Sequence, residues 1–148
     1  MTSLTLVRRI AARPEIVFDA LVTPAGIAAW WGPDDGPVLA AETDVRVGGR
    51  YRVRFRTLGG SEHEVTGEYL EIERPWRLAM SWRWVGDDPW ESRVEFRLRA
   101  IPEGTELRLA HTRLQSERSA RLHEQGWSGA LDKLARHFRT TVEGGRTR

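Results

Sequence analysis

Between Val38 and Thr112 apolar and polar residues alternate, and turn-forming groups interrupt them at Gly48-Gly49, Gly59-Gly60, Arg74-Pro75, Asp87-Asp88-Pro89 and Glu103-Gly104. Alternation marks strands with one dry and one wet face, so this segment predicts an antiparallel meander of about six strands. In RYRVRFR, Tyr51, Val53 and Phe55 share one face, while Arg50, Arg52, Arg54 and Arg56 share the other. In LAMSWRW the dry face carries Leu78, Met80, Trp82 and Trp84, and in VEFRLR it carries Val94, Phe96 and Leu98. The alternation slips at Tyr69-Leu70, which predicts a bulge.

The flanking segments read differently. Leu4 to Ile10 predicts a first strand, and Pro14 suits the first turn of a helix with Ile16, Val17, Phe18 and Leu21 on its apolar face. Thr23-Pro24 supplies an N-cap and N1 for a second short helix, which Gly32-Pro33 stops. Ile27 is spaced for helix contact with both Trp30 and Trp31, so the two indoles straddle one stripe. Trp30 is predicted to anchor the helix in the core against Phe18 or Leu21, and Trp31 to turn towards a cavity mouth as a gate. From about Ser116 to Val142 the residues Leu122, Trp127, Ala130, Leu131, Leu134 and Phe138 recur at helical spacing. Gly126, inside that helix, costs ~1 kcal/mol against Ala, which predicts close approach of another group to its backbone.

A chain of 148 residues holds one sizeable core. One domain over 1–143 with a loose tail over 144–148 is expected. Seven tryptophans against two tyrosines is a heavy indole load, and buried indoles seek partners for their N–H groups, so several are expected to line a space. Cysteine is absent, which excludes disulfides, thiolate metal sites and thiol nucleophiles. Arg13, Pro14, Glu15 and Asp19 interrupt any apolar stretch after Arg8-Arg9, so a cytoplasmic protein without membrane contact is expected. Net charge is only +2, and Lys133 is the sole lysine. The arginine stripe could track phosphates, but it lacks stacking aromatics, and Glu95 and Glu106 can neutralise it, so no nucleic-acid partner is expected.

His63, His111, His123 and His137 show no ligand spacing, and no glycine pair precedes a helix, so neither a metal nor a cofactor is expected. DDGP and GDDPW read as turns. His111 shares parity with Leu107 and Leu109 and should point inward; without a nucleophile or carboxylate beside it, it reads as structural rather than as a base. His123, four residues before Trp127, reads as a surface or packing residue near a cavity rim. Glu95 shares the wet face with Arg93 and Arg97, where cross-strand pairing is the simpler role; the parity slip leaves Glu68 undecided.

A strand, two short helices, a strongly bent sheet and one long helix make an α+β domain whose sheet can wrap around the last helix. The segments RRIAARPEIVFDALVTPAGIAAWWGP, TDVRVGGRYRVRF, GEYLEIERPWRLAMSW and HEQGWSGALDKLARHF resemble homologues of the activator of the heat-shock protein 90 ATPase, within the START-like, or Bet v-like, superfamily. The resemblance implies a helix-grip fold, ordered strand, helix, helix, six strands, helix, with an internal and mostly apolar cavity. The inward aromatic bulk makes Trp31, Tyr51, Phe55, Met80, Trp82, Trp84, Phe96, His111, Gly126 and Trp127 the expected binding residues for a small hydrophobic or amphipathic molecule. The alternatives are a co-chaperone-like partner-binding module and a cavity enzyme of the cyclase or hydrolase kind. Exposed edge strands make a homodimer plausible.

Overall fold

The alternating segment and the first strand form one seven-stranded antiparallel sheet: β1 (Thr2–Ile10), β2 (Val38–Thr43), β3 (Arg50–Arg56), β4 (Glu62–Glu73), β5 (Arg77–Trp84), β6 (Ser92–Ile101) and β7 (Gly104–Leu114). Their spatial order is β1-β7-β6-β5-β4-β3-β2. The structure, a computed structural model, describes residues 2–86 and 89–146, with backbone alone for 140–146. Asp87 and Asp88 of one expected turn, and Thr147 and Arg148 of the expected tail, lie outside the described residues. The slip at Tyr69-Leu70 is a register shift between Tyr69 and Glu71.

Parity decides which side of each strand is dry. Tyr51, Val53 and Phe55 of β3 are buried between exposed arginines. Two of those arginines and several of their neighbours meet carboxylates across the outer face: Arg52 bonds Glu42 at 2.6 Å, Arg56 bonds Glu62 at 3.2 Å, Arg77 bonds Glu95 at 2.8 Å, and Arg97 bonds Glu95 at 2.6 Å. Burial opposes ionisation of Glu95, but the hydrogen bonds from Arg97 and Arg77 outweigh it and hold the carboxyl below its usual range. Glu95 thus has the cross-strand role its parity implied. The same ladder closes over Ala79, which pairs with Glu95 on one side and Glu71 on the other and is fully buried.

The helices are α1 (Pro14–Val22), α2 (Pro24–Trp30) and α3 (Glu117–Arg146). Thr23 caps α2 by accepting the Gly26 N–H at 3.1 Å, and Trp31 is its C-cap. In α1 the buried stripe runs through Pro14, Val17, Phe18 and Leu21. Ile16, expected on that face, is exposed because it falls a turn-fraction off the stripe. The stripe of α3 likewise passes through Trp127, Ala130, Leu131 and Leu134, and Leu122, expected among them, is exposed for the same reason. α3 packs on β1 and β7 and against α2, so the sheet grips it in the α+β helix-grip arrangement. Among the described residues no helix is long and apolar enough to cross a membrane.

Candidate functional site

Between the sheet, the segment Trp31 to Pro33 that leaves α2, and α3 lies a cavity of about 630 Å³. Five tryptophans meet at its wall: Trp30, Trp31, Trp82, Trp84 and Trp127. Trp31 stacks on Trp82 with ring centroids 5.4 Å apart and planes 19° apart. Trp127 lies 5.0 Å from Trp82, and Trp84 meets Trp82 edge-on at 5.7 Å. Ring pairs at such offsets add attraction beyond the area they bury.

Two of these indoles are held by imidazoles. Trp127 donates its N–H to Nδ1 of His111 at 3.0 Å, and Trp84 donates to Nε2 of His123 at 2.9 Å. An indole nitrogen only donates, so each accepting ring nitrogen is bare. The proton of His111 therefore sits on Nε2 and points to Ser92 Oγ, 2.7 Å away. That of His123 sits on Nδ1 and is donated to the Ser119 carbonyl at 2.8 Å. Burial, and next the neighbouring His123, push the His111 pKa down to about 2. Burial also lowers that of His123, against the bond to Ser119. The rings are 4.8 Å apart, and both are neutral. With each nitrogen engaged, neither imidazole offers a free site for proton transfer to an occupant.

Trp30 is 1% exposed and donates to the Ala20 carbonyl at 2.7 Å, so it anchors α2 to α1, and its ring packs against Trp31, Phe96 and Trp127. Trp31 is almost as buried, at 4%, and sits in the wall rather than hanging over a mouth. Its carbonyl accepts from the Lys133 ammonium at 2.9 Å, and the Asp34 carbonyl accepts from the same group. The sole lysine thus straps the segment after α2 to α3. Burial lowers the Lys133 pKa, against the pull of Asp35 and Asp34.

Of the residues expected to bind, Trp31, Phe55, Trp82, Trp84, Gly126 and Trp127 line the cavity. Tyr51, Met80, Phe96 and His111 lie outside the wall; they share its parity but are buried in the core. Tyr51 spends its hydroxyl on the Ser81 carbonyl at 2.6 Å, and Phe96 packs edge-on against Trp127 at 5.8 Å. Among the described residues no protein group makes the close approach expected at Gly126. A Cβ there would be 4.0 Å from the Pro33 side chain, whereas one on Gly129 would collide with the Pro33 carbonyl. Unforeseen wall residues include Trp30, His63, Gln125 and Ala130, while His123, expected near a cavity rim, lines the wall too. For His123 and Ala130 a signal was present, since they stand four before and three after Trp127 on one helix face. Among the described residues no cluster of three or more His, Asp or Glu is placed to hold a metal ion.

A family model described as Activator of Hsp90 ATPase homolog 1-like protein matches residues 11–139. Among curated proteins no relative matches. Solved structures do. A protein from Chromobacterium violaceum is 26% identical, with 92% of this chain and 96% of that one covered and a TM-score of 0.84. The AHSA1 protein from Silicibacter pomeroyi is 28% identical, with 95% and 99% covered and a TM-score of 0.83. CalU16 from Micromonospora echinospora is 29% identical, with 89% and 73% covered and a TM-score of 0.65.

Proposed function

This chain belongs to the Activator of Hsp90 ATPase homolog 1-like family, and from that premise we propose that it binds a small hydrophobic or amphipathic molecule between the sheet and α3. The observation that carries the reading is the cavity itself: about 630 Å³ walled by five indoles. That volume falls within the roughly 300–1,000 Å³ typical of small-molecule sites. The polar wall residues, among them Thr57, His63, His123 and Gln125, are few beside the aromatic surface, as a site for an amphipathic guest requires.

Native mass spectrometry of the purified protein, followed by organic extraction, tests this. A bound mass that disappears on denaturation is expected. Ala130→Trp, which fills the wall from α3, should abolish uptake while circular dichroism stays native. Binding that survives in a folded Ala130→Trp protein places the guest elsewhere and overturns the reading.

A further inference from the structure

Four of the five wall indoles have no N–H to offer a guest. Trp30, Trp84 and Trp127 donate to Ala20, His123 and His111. Trp82 Nε1 is buried without a partner and closed off from any occupant. Trp31 differs. The residue is 96% buried and lines the cavity, yet its N–H meets no acceptor among the described residues and, unlike that of Trp82, is not sealed off. Its place is fixed from three sides: the C-cap bond of its backbone N–H to Ile27 at 3.0 Å, the Lys133 strap on its carbonyl, and the stack on Trp82. A free donor held this firmly costs little reorganisation when an acceptor arrives.

We infer that the Trp31 indole N–H is a specificity-determining donor, and that the guest is an uncharged ring compound bearing a carbonyl oxygen. This rests on the binding role proposed above. The stacked indole faces suit a flat ring system. Among the described residues no Asp, Glu, Lys or Arg lines the cavity. Lys133 spends its ammonium on two backbone carbonyls, while Arg54, Glu62 and Glu64 line a separate depression of about 280 Å³ that shares only His63 and Trp84 with the cavity. A carboxylate would therefore give up its hydration for one neutral donor, whereas a ketone gives up much less.

Calorimetric titration with acetonaphthone, ethylnaphthalene and the naphthoic acid anion tests the inference on the wild type and on Trp31→Phe, which keeps a ring against Trp82 and removes the N–H. The wild type should bind acetonaphthone at least about tenfold more tightly than the anion. Trp31→Phe should lose about five- to tenfold for acetonaphthone, the weight of one hydrogen bond, and less than about twofold for ethylnaphthalene. In a proton–nitrogen correlation spectrum of the wild type, the Trp31 indole signal should move with acetonaphthone far more than with ethylnaphthalene, a readout independent of the variant. Equal loss for both probes, or an anion bound as tightly as the ketone, overturns the inference and leaves cavity binding standing. Failure of both acetonaphthone and ethylnaphthalene to bind the wild type removes the binding role and the inference together.

Discussion

The indole N–H of Trp127 ends on Nδ1 of His111, 3.0 Å away, in a place where the imidazole is fully buried. That bond requires a bare Nδ1, so protonating His111 breaks it and leaves an unpaired cation in the core. Unfolded, the same histidine titrates near 6.5. Below that value the unfolded chain takes up a proton that the folded chain, with its pKa near 2, refuses. Stability is therefore intact above about pH 6.5 and falls by about 1.4 kcal/mol per unit of pH below it for this group, with His123 adding to the slope. Urea midpoints at pH 7, 6 and 5 check this. His111→Gln should flatten the slope, and a wild type equally stable at pH 7 and pH 5 contradicts it.

Trp30→Ala should cost roughly 3–5 kcal/mol, because it empties a buried site and orphans the Ala20 carbonyl. Trp31→Ala should cost a comparable amount, since it removes an equally buried ring stacked on Trp82. Denaturant titration measures both. A Trp31→Ala protein as stable as the wild type would restore the picture of a loose gate.

Gly126→Ala should raise stability by up to ~1 kcal/mol, the helix propensity of Ala over Gly, because its Cβ meets only ordinary contact at Pro33. Gly129→Ala should lower it by roughly 1–3 kcal/mol, because the Pro33 carbonyl occupies the place of the new methyl. Thermal melts of the two variants side by side decide whether α3 touches the segment after α2 where the geometry puts it.

Lys133→Met keeps the apolar stem and removes the ammonium that holds the Trp31 and Asp34 carbonyls. A loss of about 1–3 kcal/mol is expected from two half-buried carbonyls deprived of their donor. Amide hydrogen exchange should quicken across 31–36 while the centre of the sheet stays protected. Unchanged exchange there would show that the strap is not what orders this segment.

Much of this arrangement was legible before any coordinates. Alternation and helical spacing located the strands and helices, because burying one face imposes a period on whatever chain does it. Parity alone sent His111 and Trp82 inward, paired Glu95 with its arginines, and marked the bulge at Tyr69. Depth was not legible. Tyr51 and Phe55 stand on one face of one strand, yet only Phe55 reaches the cavity, since what covers each depends on where α3 and the exit of α2 lie over the sheet. Likewise two glycines in α3 carried the same local cost, and only the position of Pro33, far back in the chain, decided that Gly129 and not Gly126 is the close contact. The indole–imidazole bonds join residues 16 and 39 positions apart. Periodicity tells a residue which way to face, and it carries no information about which distant group will be waiting there.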